Sequence, residues 1–112
     1  MRILFLGLGS IGQRNLSSCL RVEPTAEYFC ARHPESRSEV PSSISVFPLD
    51  QIHEQPPFDL AWICTPTDQH LNSLKAVAKH VRAVFIEKPI AHTESDLSEI
   101  EFIVNESGIS FF

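Results

Sequence analysis

Three glycines near the start of the chain have the spacing of a phosphate-binding turn. Residues 7–12 read Gly-Leu-Gly-Ser-Ile-Gly, between an apolar run at 3–6 and a segment with helical periodicity. In such a unit the first glycine permits a tight turn, the second lets backbone approach a pyrophosphate, and the third lets the helix pack closely. A turn that uses glycine only for backbone freedom is the alternative. The residues predicted to bind a dinucleotide are Gly7, Gly9, Ser10, Ile11 and Gly12.

The end of the second predicted strand bears on the choice between NAD and NADP. An NAD-specific fold usually has an acidic residue about twenty positions after the glycine turn, where it binds the adenosine ribose. This chain has Cys-Ala-Arg-His at 30–33 and no carboxylate. Arg32, with Arg37 or Ser36, could accept a 2′-phosphate instead, so the pattern favours NADP over NAD. A solvated surface arginine is the alternative reading of Arg32.

Two further turns follow later predicted strands. Residues 65–70 read Thr-Pro-Thr-Asp-Gln-His, and residues 87–89 read Glu-Lys-Pro. Ligands of doubly wound sheets bind beyond the carboxyl ends of the strands, so both turns lie where a ligand is expected. An ammonium at Lys88 could stabilise charge on a reacting oxygen and lower the pKa of a reacting hydroxyl. An exposed lysine and a polar residue at a helix start are the plain alternatives for Lys88 and His70.

Short apolar runs alternate with helical patterns along the whole chain, which predicts an α/β fold with a doubly wound parallel sheet of the Rossmann type. The predicted strands cover residues 3–6, 28–31, 60–64 and 83–86, with weaker ones at 45–47 and 109–112. A first helix over 10–21 should turn Ile11, Leu16, Cys19 and Leu20 toward the sheet. A second has the apolar stripe Leu71, Leu74, Val77, Ala78 and Val81. A third, with Leu97 among its apolar residues, begins after Thr93 and ends before Gly108. Residues 33–43 should be an exposed loop, and residues 49–55 a poor helical turn.

Composition excludes several classes of function. The net charge of -5 and pI near 5.4 argue against nucleic-acid binding. No apolar run approaches the roughly 20 residues of a membrane helix, so no membrane partner is expected. The three cysteines and five histidines lack metal-ligand spacing, so we expect no metal site and a reduced, cytoplasmic protein.

Together the three motifs resemble the glucose-fructose oxidoreductase, inositol dehydrogenase and rhizopine-catabolism (Gfo/Idh/MocA) family, in its order and spacing and over essentially the whole chain. The resemblance implies an NAD(P)-dependent oxidoreductase that moves a hydride between the nicotinamide and a carbinol of a sugar or nucleotide sugar. It implies that Thr65, Pro66 and His70 line the diphosphate and nicotinamide side of the cofactor. Glu87 would join the cofactor site, and Lys88, the catalytic residue, would reach the nicotinamide ribose and the substrate hydroxyl. The Lys–Pro bond is often cis in such proteins.

The same resemblance sets limits. Members commonly carry a histidine where this chain has Asn15. They continue into a second α/β domain that supplies the substrate pocket, so we expect residues 1–112 to be the NAD(P)-binding domain alone, with a small-molecule substrate. A non-catalytic nucleotide-binding or sensing module and a truncated fragment without activity are the alternatives. The exposed apolar strand at 109–112 would allow homo-oligomers to form through the sheet edge.

Overall fold

Six parallel strands form a single sheet in the computed structural model, which describes residues 1–112. The strands lie in the order β3-β2-β1-β4-β5-β6. Their bounds are β1 (Arg2–Leu6), β2 (Glu27–Arg32), β3 (Ser45–Pro48), β4 (Phe58–Ile63), β5 (Val81–Ile86) and β6 (Ser110–Phe111). The predicted doubly wound, Rossmann-type sheet is therefore confirmed.

Three α-helices connect the strands: α1 (Ser10–Val22), α2 (His70–Val77) and α3 (Glu94–Ser107). Short 3-10 segments occupy Leu49–Glu54 and Thr67–Gln69. Right-handed crossovers place α1 on one face of the sheet and α2 and α3 on the other, because the chain leaves β1 in one direction and β4 in the opposite one. Residues 33–44 connect β2 to β3 without a helix.

The core has two layers, as the alternation of side chains along a strand requires. Ile3 and Phe5 pack with Leu16 of α1, whereas Leu4 and Leu6 pack with the residues of α2 and α3. The second layer includes an aromatic cluster, in which Phe58 has its ring centroid 5.3 Å from that of Phe29 and 6.0 Å from that of Phe47. Backbone pairing with β4 places β1 beside it in the centre of the sheet.

The ends of α3 have the predicted signals. The Thr93 hydroxyl accepts a hydrogen bond from the Asp96 N–H at 3.0 Å, and Gly108 adopts the left-handed conformation with φ 66°. These caps satisfy backbone groups that the helix itself leaves unpaired.

Two details of the predicted helices are wrong. The sequence pattern predicts an apolar stripe on the second helix that reaches Val81, but α2 ends at Val77 and Val81 begins β5. Pairing with β4 ends the helix, since the His80 carbonyl accepts the Phe58 N–H at 2.8 Å and Val81 lies opposite Phe58. Ile11 is 49% exposed rather than packed on the sheet, because the first turn of α1 lies beyond the sheet edge.

Cys30 is buried, Cys19 and Cys64 are half-buried, and all three are free thiols. No cluster of three or more His, Cys, Asp or Glu side chains could hold a metal ion. None of the helices is both long enough and apolar enough to cross a membrane.

The aromatic cluster gives a test of the core. Because Phe58 is 1% exposed, the Phe58→Ala substitution should lower the free energy of unfolding by about 3–5 kcal/mol. Phe102→Ala is the matched control: that ring is 65% exposed on α3, so we expect a change within about 0.5 kcal/mol. Urea unfolding followed by circular dichroism measures both, and equal losses would contradict the packing described above.

Candidate cofactor-binding site

The three sequence motifs meet at one edge of the sheet. They follow β1, β4 and β5, which are parallel neighbours, so their carboxyl ends lie together. The connections from β1 and β4 leave in opposite directions, which opens a crevice between the two strands. The fold therefore brings together residues that are up to about 80 positions apart in sequence.

The glycine turn is packed directly on the neighbouring turn and on its own helix. Gly7 has φ +87°, and a Cβ on it would lie 2.7 Å from the Cys64 carbonyl carbon and the Thr65 nitrogen. A Cβ on Gly12 would lie 2.1 Å from the Gly7 carbonyl oxygen. Any side chain at either position would push the elements apart, so both positions require glycine.

Gly9 differs from the other two glycines. A Cβ on Gly9 would meet no heavy atom within 4 Å, so the backbone here faces open space. Gly9 caps α1 without any side-chain hydrogen bond, and no acidic residue lies in the first turn. The first N–H groups of the helix are therefore open to an anion that approaches over Gly9.

The second turn is held by buried polar contacts. His70 is 1% exposed, and its two ring nitrogens lie 2.8 Å from the Thr65 carbonyl oxygen and 3.0 Å from the Ile90 carbonyl oxygen. The Thr65 hydroxyl lies 2.9 Å from that of Ser73 on α2. His70 thus connects the turn after β4 to the one after β5, and its ring nitrogens are both engaged by backbone.

The third turn presents a lysine. The Lys88–Pro89 peptide bond is cis, as the family resemblance implied. Lys88 is exposed and takes part in no ion pair of the structure. The preceding residue is anchored twice: the Glu87 N–H donates to the Ile63 carbonyl at 3.1 Å, and its carboxylate accepts from the Asn15 amide at 2.6 Å.

A cleft of about 970 Å³ lies between these turns and the loop at 33–43. Its walls include the glycine turn, Thr65, Pro66, His70, Glu87 and Lys88. Three lysine or arginine side chains and two carboxylates line it, namely Arg32, Arg37, Lys88, Glu35 and Glu87. The cleft is thus locally positive in a chain of net charge -5, which suits an anionic ligand. All the predicted site residues, except buried Gly12 beneath the turn, line this cleft.

Lys88 also borders a second groove, of about 780 Å³, between the third turn and the start of α3. The walls of this groove are residues 88–94 and Leu97. No other residue lines both cavities. Lys88 therefore lies at the boundary between the cleft and the adjoining groove.

Arg32 lies at the far end of the cleft. Its Nη2 atom donates to the Ser38 carbonyl at 2.6 Å and contacts the Ser36 carbonyl at 3.4 Å. From the other side, the Gln13 amide donates to the Leu8 and Glu39 carbonyls at 3.2 and 2.8 Å. Arg32 and Gln13 together hold the loop in place as one wall of the cleft.

Several of these contacts have no signal in the sequence. Gln13 and Ser73 stood out in no motif, and Asn15 appeared only as a departure from the family pattern. Cys64 lies in the cleft wall, but burial raises the pKa of its thiol to about 11, with a smaller opposing effect of the hydrogen bond from Asn15. The thiol therefore stays protonated near neutral pH, and a protonated thiol is a poor nucleophile and a poor metal ligand.

Residues 1–111 match the model of the Gfo/Idh/MocA oxidoreductase family, described as its NAD-binding Rossmann fold. The chain belongs to this family. The match covers nearly all 112 residues, so the family resemblance read from the three motifs is confirmed. No curated protein matches the chain.

Solved structures share the fold over the whole chain. The WlbA dehydrogenase of Bordetella pertussis, solved with NADH and UDP-GlcNAcA, is 24% identical, with a TM-score of 0.83 over 99% of this chain and 36% of its own. A probable dehydrogenase of Thermotoga maritima is 25% identical, with a TM-score of 0.77 over 100% and 35%. A protein of Desulfitobacterium hafniense, described as an NADPH-dependent oxidoreductase, is 17% identical, with a TM-score of 0.81 over 100% and 33%. The chain thus spans about a third of the length of the structures it matches.

The contrast between Gly12 and Gly9 gives a matched pair of substitutions. A methyl group at Gly12 would overlap the Gly7 carbonyl oxygen, so Gly12→Ala should lower the free energy of unfolding by about 1–3 kcal/mol. A methyl group at Gly9 meets open space, so Gly9→Ala should change it by less than about 1 kcal/mol. Urea unfolding of the two variants measures the difference. Similar stability of the two would show that α1 does not pack on the turn as described.

Proposed function

We propose that this chain binds NAD(P) in the cleft as the cofactor domain of an oxidoreductase. The observation that carries the proposal is the convergence of three turns around an uncapped helix N-terminus. The diphosphate would lie over Gly9 and accept hydrogen bonds from the first N–H groups of α1. The open space above Gly9 and the absence of an acidic residue in that helical turn support this placement.

The nicotinamide end would lie toward the second and third turns. Thr65 and Pro66 would form the wall beside it. His70, which is buried behind this wall, would stabilise both turns through its contacts with the Thr65 and Ile90 carbonyls. NAD(P), when bound, supplies a carbon that accepts or gives up a hydride. Lys88 would direct its ammonium toward the oxygen of the reacting group and stabilise its developing negative charge.

The substrate would occupy the groove beyond Lys88. A carbinol of a sugar or nucleotide sugar is the substrate class that we propose for the whole enzyme. Two observations support it: Lys88 borders both cavities, and the WlbA dehydrogenase, which shares this fold, was solved with NADH and UDP-GlcNAcA. A non-catalytic module would bind the cofactor with no such turnover.

NADP is the cofactor that the loop chemistry favours. The end of β2 offers Arg32 rather than a carboxylate, and Ser36 and Arg37 line the same end of the cleft. A guanidinium has five N–H donors, and the structure engages only the Nη2 group of Arg32. The remaining N–H groups could donate hydrogen bonds to a 2′-phosphate without release of the loop.

Cofactor titration tests the proposed function directly. NADH and NADPH are titrated separately into the chain, and binding is followed by calorimetry. At least one of the two cofactors should bind saturably. Gly9→Ala should weaken the binding by about tenfold or more, because a methyl group there obstructs charge-assisted hydrogen bonds to the diphosphate. Its unchanged unfolding serves as the folding control. Absence of binding to the unmodified chain would overturn the proposal.

The NADP preference has a separate test in Arg32→Ala. We expect this substitution to weaken NADPH binding by about tenfold relative to NADH, since it removes a charged partner of the 2′-phosphate alone. The ratio of the two affinities corrects for any loosening of the loop, which affects both cofactors. Arg14→Ala, at an exposed position on α1, is the control of equal charge. An unchanged ratio would show that Arg32 does not bind the phosphate.

A further inference from the structure

Asn15 connects α1 to the turn that carries Lys88. Its Nδ2 atom lies 2.6 Å from Glu87 Oε1 and 3.6 Å from Cys64 Sγ. The other side-chain hydrogen bonds from α1 go to backbone carbonyls or stay within the helix. Asn15 is therefore the residue of α1 whose side chain forms hydrogen bonds with the side chains of Cys64, at the end of β4, and Glu87, at the end of β5.

The Glu87 carboxylate depends on this contact. Glu87 is half-buried, and it forms no ion pair with any lysine, arginine or histidine. The Asn15 amide is the only donor that the structure gives to the carboxylate. A half-buried carboxylate that loses its donor must turn to water or to another cation. For Glu87 the water lies in the cleft, whose wall it forms.

Resting on the cofactor site proposed above, we propose that Asn15 is a positioning residue for the Glu87–Lys88 turn. Its amide holds the carboxylate on α1, so that the negative charge does not turn toward the diphosphate of the cofactor. The same hydrogen bond fixes the orientation of the residue before Lys88. Because an amide is neutral, it donates this bond at every pH and adds no charge of its own.

An aspartate at position 15 would reverse the interaction while keeping its size. Two carboxylates would then face each other, and the pair would take up a shared proton at a higher pH than an isolated carboxyl. The other titratable groups that face this position are Cys64, at the end of β4, and Cys19 on α1 itself. Burial raises the pKa of both thiols, that of Cys64 to about 11. His33 and His70 also line the cleft, and both chains share them. The difference in pH dependence between such a variant and the unmodified chain, from about pH 5.5 to 8, would therefore report on the carboxyl pair.

A set of isosteric variants tests this role through cofactor affinity. At about pH 8, Asn15→Asp should bind NAD(P)H about tenfold more weakly than the unmodified chain, and the loss should shrink toward pH 5.5 as the pair takes up its proton. Adding Glu87→Gln to it exchanges donor and acceptor, since the Gln amide can donate to the Asp carboxylate. This double variant should regain an affinity within about threefold of the unmodified chain at both pH values.

Two controls separate positioning from simpler effects. Glu87→Gln alone keeps an acceptor for the Asn15 amide and removes the negative charge, so it serves as the reference single variant against which the double variant is compared. Asn72→Asp places the same added charge at an exposed position in the cleft wall, where the structure shows no hydrogen bond to a carboxylate. Its affinity should show no recovery at low pH. The restored affinity of the double variant also shows that position 15 tolerates aspartate without unfolding.

Normal affinity of Asn15→Asp at pH 8 would overturn the inference, and so would a double variant no better than Asn15→Asp alone. Either result could occur in a chain that binds the cofactor normally, and it would leave the proposed function intact. An unmodified chain that binds neither cofactor would instead remove the proposed function, and with it this role of Asn15.

Discussion

The close approach of Gly12 to the carbonyl oxygen of Gly7 determines how closely α1 packs on the glycine turn. With 2.1 Å between that oxygen and the position of an added Cβ, only a glycine lets the helix lie this close to the turn that precedes it. Gly7 in turn packs on the backbone of Cys64 and Thr65. The helix N-terminus, the glycine turn and the second turn are consequently in direct backbone contact, and the space over Gly9 is the opening that they leave.

Polar contacts extend this arrangement to the third turn. His70 joins the backbone of Thr65 to that of Ile90, and Asn15 joins α1 to Glu87. Hence each turn is tied to at least one other by buried or half-buried groups, and none depends on its own residues alone. Lys88 projects from this framework as an exposed cation between two cavities. A framework of this kind holds its side chains in place before any ligand binds.

Most of the fold could be predicted from the sequence because its signals are local. Apolar runs bounded by turn residues predict all six strands, and Thr93 and Gly108 mark the two ends of α3. The predictions for Val81 and Ile11 are wrong because tertiary structure determines the secondary structure of the first and the burial of the second. Val81 fits a helical stripe equally well until pairing with Phe58 is considered, and Ile11 faces the cleft because the sheet ends before it.

The motifs of the candidate site could be predicted from the sequence, but the side-chain contacts that hold the motifs in place could not. Glycine spacing and the two later turns indicate which residues meet, since parallel strands bring their carboxyl ends to one edge. Nothing in the sequence indicates that Asn15 would bond Glu87 rather than a ligand, or that both ring nitrogens of His70 would face backbone carbonyls. Asn15 and Glu87 are 72 residues apart, and His70 is 5 residues from Thr65 and 20 from Ile90. Only the packing of the folded chain determines that these groups meet.

Cofactor-induced chemical shifts in the isotopically labelled chain test the central claim most directly, because they locate the ligand as well as detect it. With NADPH or NADH, the account predicts that amide signals shift mainly at residues 7–12, 65–66 and 87–88. The signals of the second half of α3, whose residues line neither the cleft nor the adjoining groove, should stay nearly unchanged. Absence of shifts at saturating cofactor, or shifts confined to residues outside these three turns, would contradict the account.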